Sequence, residues 1–398
     1  MPETLSLSHP SRPWRDSLRR ECALLWARPF DLAMLSWVPL LLGLMVIWSF
    51  AAGLPTRLPI GVLDGDHSAL SRQLQRMLDG APGLRISAQF SDEQAMQRAL
   101  RAGEVYAALV IPPDLARSIK HGQAGQLALL HNAQFSSHSG LIQKDVRTVV
   151  ATLSAGIELT AREKRGQSPL AAKEAFEPLR SSLGALYNGA LNYQQFLATA
   201  LIPALLHLLA MVGGGWTVGR ELRDATAPAW LAASGGQALP ALLAKLAPAW
   251  LLLNLVNFAF WLILGRLGLV PEGTLTTLLL LHGLMIALYL ALGAAIALAG
   301  RSLRLVLSAA GFITAPAFAF SGLAFPLMAM PEGARMWAQA LPFTWVLQGQ
   351  IGLLQAGLSP ADLQATLGGL ALASLALLMT ACFMLPRLAL RPSSWGRR

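Results

Sequence analysis

Charge is what this chain of 398 residues lacks most: 13% of positions are Asp, Glu, Lys or Arg, against 54% apolar. So small a charged fraction, with a positive mean hydropathy, excludes an ordinary water-soluble domain and places the chain in a membrane. Cysteine is nearly absent. Cys22 and Cys382 stand near opposite ends of the chain, which excludes a disulfide framework and a cysteine metal cluster. Also missing are G-x-x-x-x-G-K-[S/T], HExxH, GxSxG and CxxC. The chain therefore carries no motif for hydrolysing ATP or for other catalysis, and no catalytic residue, metal ligand or bound cofactor is assigned to it.

What is abundant is long apolar sequence. A bilayer core needs about 20 consecutive apolar residues per helix, and six segments qualify: 33–52, 196–218, 247–265, 275–299, 305–324 and 364–385. The first is not a cleavable signal, because a stretch with Arg12, Arg15, Arg19, Arg20 and Arg28 precedes it and no small-residue cleavage site follows. "WRDSLRRECALLWARP" repeats Trp14, Leu18, Cys22, Leu25 and Trp26 at helical spacing, the pattern of an amphipathic helix in the membrane plane, and Pro29 breaks it before the first span.

Arginine and lysine set the orientation. With a cytoplasmic N-terminus, the inner segments hold the five N-terminal arginines, then Arg220, Arg223 and Lys245, then Arg301 and Arg304, then Arg387, Arg391, Arg397 and Arg398. The short outer loops hold Arg266 and Arg335, the asymmetry of the positive-inside rule. The net charge of +10 thus reports topology and contact with anionic membrane lipids, and nucleic acid is excluded as a partner because no basic face is interleaved with aromatics.

Residues 53–195 are polar enough to fold in water, and this orientation puts them outside the cytoplasm. "LPIGVL", "LRISAQF" and "VYAALVIPP" read as strands; "SALSRQLQRMLDG", "DEQAMQRALRAG" and "DLARSIKHG" read as helices. This alternation makes an α/β layer. In "DGDHSALS" the Asp64–Gly65 pair turns a strand into a helix that Asp66 or Ser68 caps; a cation site at Asp64, Asp66 and His67 lacks further carboxylates at ligand spacing. From about Ser139 to Asn192 two helical stretches, broken at "GQSP", form a stalk back to the membrane.

Polar residues inside the spans are the default pointers to a transport path: His207, Asn254, Asn257 and His282. Each is equally suited to hydrogen-bond a neighbouring helix. "FPLMAMPEGARMWAQALPFTW" is apolar but broken by Pro326, Pro331 and Pro342, so residues 325–350 are expected as a re-entrant or partly buried outer segment rather than a span.

The order of these pieces resembles the permease subunit of type-2 ABC exporters, in the branch with a large periplasmic domain between the first two spans. "LPIGVLDGDHSALSRQL", "ALRAGEVYAALVIPPDLARSIKHGQ", "GRELRDATAPAWLAASG" and "FSGLAFPLMAMPEGARMWAQALPFTWVLQGQIGLLQAG" carry the resemblance, which covers nearly the whole chain. It departs from the family's cytoplasmic motif at Arg223, Ala225 and Pro228.

The resemblance implies an α-helical polytopic membrane protein with six transmembrane helices and an α/β extracytoplasmic domain inserted after the first. Its parts would be a cytoplasmic N-terminus (1–30), the first span (31–52), the periplasmic domain (53–195), a five-helix region (196–385) and a basic cytoplasmic tail (386–398). It also implies a bacterial inner-membrane exporter of an amphiphile, drug-like or lipid-like. A separate cytoplasmic ATPase subunit would bind ATP and Mg. The further partners would be a second permease chain, identical or paralogous, and a periplasmic adaptor.

The cytoplasmic loop 220–245 would hold the ATPase-coupling helix, with Glu221, Arg223 and Asp224 as surrounding charge, Thr226 as cap and Ala229, Trp230, Leu231 and Ala232 as an apolar knob. Phe325, Pro326, Pro342 and Phe343 would form an outer gate. The competing expectation is a membrane scaffold or secretion-assembly protein that transports nothing.

Overall fold

The structure is a computed structural model in which residues 13–133, 136–166 and 192–391 are described. The chain divides into two units, one of residues 1–53 with 185–398 and one of residues 54–184.

The first unit is helical. α1 (Pro13–Trp26) ends before Pro29, and α2 (Pro29–Leu35) and α3 (Trp37–Ser49) follow as one apolar segment with a break at Ser36. The face α1 turns inward is Ser17, Glu21 and Leu25, with Trp14 and Trp26 left exposed. That face is offset from the expected apolar stripe because Glu21 has charged partners inside.

The remaining helices of this unit are numbered after those of the insert. They are α8 (Thr199–Arg223, entered by a π-turn at Gln194–Ala198), α9 (Ala227–Ala233), α10 (Ala238–Arg266), α11 (Leu275–Gly300), α12 (Leu303–Ala319), α13 (Glu332–Ala340), α14 (Pro342–Leu354) and α15 (Gln364–Ala389).

Among the described residues, five segments are long and apolar enough to cross a membrane: Pro29–Ser49, Gln194–Arg223, Ala238–Arg266, Leu275–Gly300 and Pro360–Ala389. The segment expected at 305–324 is α12, whose 17 residues reach only about 25 Å at 1.5 Å each, short of a core about 30 Å thick. In 325–350 the prolines begin helices instead of crossing: Pro331 precedes α13 and Pro342 opens α14, where a missing N–H costs nothing.

The packing that organises this unit is between α8 and α11. Their backbones touch: a Cβ on Gly214 would stand 2.0 Å from the Leu290 carbonyl oxygen, and one on Gly293 would stand 2.1 Å from that of Met211. Glycine at both positions is what lets two membrane helices approach so closely.

The second unit carries a four-stranded sheet in the order β2-β1-β3-β4. Here β1 is Leu58–Asp64, β2 Leu84–Phe90, β3 Ala107–Ile111 and β4 Ala128–His131. β1 pairs in parallel with β2 and β3, and β4 closes one edge antiparallel to β3. α4 (Ala69–Asp79), α5 (Glu93–Ala102) and α6 (Leu115–Lys120) connect the strands, and α7 (Ser136–Lys164) follows the sheet. Leu58, Ile60, Val62, Leu74, Leu78, Ala107, Leu109 and Ile142 share its core. The second helical stretch expected before Asn192 lies outside the described residues, as does the last part of the basic tail.

At the turn after β1, Ser68 caps α4 by accepting from the Ser71 N–H at 3.0 Å. Asp64 accepts from the Asp66 and His67 amides, the Ser71 hydroxyl and the Gln75 amide, all within 3.0 Å, so its oxygens are taken by protein donors. Burial pushes the Asp64 carboxyl up, but the Ser71 and backbone hydrogen bonds outweigh it and hold the group below its ordinary value of 3.8. A depressed carboxylate stabilises the fold above the unfolded value, and the contribution is lost as pH falls through the folded one. Acid unfolding of the insert should therefore show a limb below about pH 4 that Asp64→Asn flattens. Ser68→Ala should cost about 1 kcal/mol at neutral pH in denaturant unfolding followed through the insert.

Candidate functional site

Six of the charges in the membrane unit are gathered in one place. Glu221 in the last turn of α8 accepts both Arg20 guanidinium nitrogens at 2.8 Å and the Lys245 ammonium at 2.6 Å. Lys245, near the start of α10, also donates to Glu21 at 2.5 Å. Arg220 pairs with Asp31 and reaches Glu21 at 3.4 Å, while the Trp216 indole donates to Asp31 at 3.0 Å. Glu21, Glu221 and Lys245 are 1% exposed and Arg220 2%.

Three carboxylates (Glu21, Asp31, Glu221) thus meet three cations (Arg20, Arg220, Lys245). Buried ions are tolerable only when charge is balanced and hydrogen bonds are satisfied in this way. The cluster ties α1 and α2 to the ends of the second and third spans.

α9 sits on this cluster. The Thr226 hydroxyl donates to Glu221 at 2.5 Å instead of capping the helix, and Pro228 occupies its first turn. Asp224 pairs with Arg223 at 2.8 Å and with Arg28 at 3.5 Å; the Arg223 hydrogen bond, against some burial, holds the Asp224 carboxyl below its ordinary value. Trp230 and Leu231 do not form the outward knob the sequence led us to expect. Trp230 is 1% exposed, donates to the Ala241 carbonyl at 3.3 Å and lies under the Lys245 ammonium, 5.5 Å from the ring centroid. An indole with a carbonyl and a cation to pair with gains more by turning inward. The exposed positions are Ala225, Ala229 and Ala232, with Asp224 and Thr226.

The polar residues of the spans separate into three places. Asn254 is half-buried beside Gly283 of α11, apart from the other polar residues, and donates to the Trp250 carbonyl of its own helix at 2.8 Å. His282 and Asn257 are fully buried together. The Trp261 indole donates to His282 Nδ1 at 2.8 Å, which leaves the proton on Nε2 to be donated to Gln350 Oε1 at 3.0 Å; Gln350 in turn donates to the Thr199 carbonyl at 2.9 Å. Asn257 Oδ1 stands 3.1 Å from His282 Nδ1. One chain of polar contacts thereby joins α8, α10, α11 and α14.

His207 stacks on Phe343 with ring centroids 4.3 Å apart and meets Tyr289 edge-on at 4.9 Å. A path candidate and a gate candidate are therefore in contact, while Phe325 and Pro326 lie on the surface, Phe325 51% exposed, away from buried Phe343. Among the described residues, His207 Nε2 and the hydroxyls of Tyr289 and Thr344 are buried without a hydrogen-bond partner. An unpartnered buried hydroxyl is a cost that its removal relieves, so Tyr289→Phe should leave thermal stability in detergent unchanged or raised by about 1 kcal/mol.

A family model described as ABC-2 family transporter protein matches residues 30–385. The chain belongs to that family. No curated protein and no solved structure matches it.

As an ABC-2 family transporter the chain is a multi-pass membrane permease, a transport component and not the catalytic subunit, in a family that works with a cytoplasmic ATPase. Among the described residues, no group of His, Cys, Asp and Glu could hold a metal ion. Sequence reading of this ABC-2 transporter placed Glu221 on a surface and missed Arg20, Glu21, Asp31 and Lys245 as its setting. A signal existed: Asp31 and Lys245 are ionisable residues at the edges of apolar spans, where an unpaired charge is costly.

Proposed function

We propose that this ABC-2 permease is the membrane half of an ATP-driven exporter that moves an amphiphile out of the cytoplasm or the inner leaflet of a bacterial inner membrane. In this reading α12, about 5 Å short of the core, is a sixth span over which the bilayer thins, both termini are cytoplasmic and residues 53–195 are periplasmic, as the distribution of Arg and Lys supports. Two permease chains, identical or paralogous, pair with two ATPase subunits that bind ATP and Mg. His207, Asn257 and His282 line or brace the path, with Pro342 and Phe343 at its outer end. Asn254 and the pair Phe325 and Pro326 lie at its margin.

The observation that carries this reading is α9: a short helix with an alanine surface outside and Trp230 turned into the buried charge cluster beside Glu221 of α8. A force on Ala229 or Ala232 reaches α10 through the Trp230 hydrogen bond to Ala241 and its contact with Lys245, and α8 through the Thr226–Glu221 hydrogen bond; the Lys245–Glu21 ion pair carries it on to α1. Alanines offer a partner a shallow surface that admits close approach, and their replacement perturbs docking without emptying the core.

The test is copurification of an ATPase from the native host in mild detergent, and its activity, for wild type and for Ala229→Arg with Ala232→Arg. The double variant should keep its thermal midpoint and lose the ATPase. Absence of any ATPase from the wild-type preparation would move the scaffold reading ahead.

A further inference from the structure

In the insert, α4, α6 and the second half of α7 enclose an open groove of about 700 Å3. That volume is within the ordinary range of small-ligand sites, about 300–1,000 Å3. Its floor is apolar, from Met77 on α4, Ile119 on α6, and Leu153 and Ile157 on α7. Its rim is cationic: Lys120, Lys164 and Arg165. Among the described residues no carboxylate lines it and none of the three cations has an ion-pair partner. Of the two acids nearest on α7, Glu158 is engaged by Arg162 at 2.7 Å, and Glu163, exposed beside Lys164, does not line the groove.

Cations at helix C-termini ordinarily answer the helix dipole, and Lys120 and Lys164 end α6 and α7. Each dipole amounts to about half a charge. Three full charges against two such ends, even with Glu163 beside Lys164, leave the rim net positive, facing a floor that is largely apolar. An anion alone would satisfy the rim and leave the floor wet; a neutral chain would do the reverse.

We propose that this groove binds a single-chain anionic amphiphile, with its phosphate or carboxylate head on Lys120, Lys164 and Arg165 and its chain along Ile119, Leu153 and Ile157. The site belongs to the insert alone and does not rest on the exporter reading.

Hydrogen exchange of the full chain in nanodiscs of zwitterionic lipid tests it, with dodecyl phosphate as probe. Dodecyl phosphate should slow exchange in residues 119–122 and 152–165, while dodecyl maltoside and inorganic phosphate should not. Lys120→Glu with Lys164→Glu and Arg165→Glu should weaken the effect by at least about tenfold while leaving the exchange of β1 and β3 unchanged. Equal protection by dodecyl maltoside, protection by inorganic phosphate alone, no protection, or protection that survives the triple variant each overturns the proposal. Because no ATPase enters this measurement, its failure beside a copurifying ATPase would leave the exporter reading standing.

Discussion

Glu221→Gln should destabilise the membrane unit by about 3–5 kcal/mol, the cost of leaving a buried ion uncompensated. Glutamine matches glutamate in shape and keeps one acceptor, so the change isolates charge. Lys245, 1% exposed, would then share the single carboxylate of Glu21 with Arg220, and Arg20 would lose at least one of its two 2.8 Å contacts. The same logic gives the compensating variant. Glu221→Gln with Lys245→Met removes one charge of each sign and fills the lysine stem's space, so it should be more stable than Glu221→Gln alone. That ordering, read by thermal unfolding in detergent, distinguishes charge balance from shape, since a purely steric role would make the double variant the worse of the two. A loss below about 1 kcal/mol for Glu221→Gln would mean that water reaches the cluster and screens it.

Much of the insert was legible because its signals are local. The strands at Leu58–Asp64 and Leu84–Phe90, the helix closed by Gly80 and the cap at Ser68 all follow from neighbours within a few residues. β4 escaped because "ALLH" is four residues long with no alternation, and only pairing with β3 makes it a strand. The membrane helices were legible from composition, except that α12 stops at Ala319, where Pro316 and the turn at Ser321–Gly322 end an apolar run that continues in sequence.

The candidate site was legible as a list of residues and illegible as an arrangement. Arg20 and Glu221 are 201 positions apart, and no periodicity links them. α9 has seven residues, fewer than two full turns, so its pattern does not say which side faces in; that Trp230 is the buried one depends on Ala241 and Lys245. His207 and Phe343 could each be picked out for being unusual where they stand, but their stacking required the packing of α8 against α14.

The largest effect is expected at Gly293. Valine there must displace the Met211 carbonyl, backbone that cannot swing aside like a side chain, and the reciprocal contact at Gly214 means that both helices would have to separate. Separation on this scale opens cavities along two of the most buried helices of the unit, so Gly293→Val should cost more than the 4–5 kcal/mol that marks exceptional substitutions and abolish folded protein. Gly311→Ala on α12 is the control: a Cβ there meets nothing within 4 Å, and stability should stay within about 1 kcal/mol of wild type.

The position also bears on function. Gly214 lies midway along α8 between His207 in the polar core and Glu221 in the charge cluster, about 10 Å from each along the helix. On the proposed exporter reading, two backbones in contact at that point would make a fulcrum, so that a displacement of Glu221 delivered through α9 would turn α8 and shift His207 against Phe343. Gly293→Ala sets its single Cβ 2.1 Å from the Met211 carbonyl, so it too forces the helices apart and should be strongly destabilised; in whatever protein folds, that transmission should be weaker, so that a copurified ATPase hydrolyses ATP with less response to amphiphile than in wild type. An unchanged response in a measurably destabilised Gly293→Ala protein would show that α8 does not act as a rigid lever.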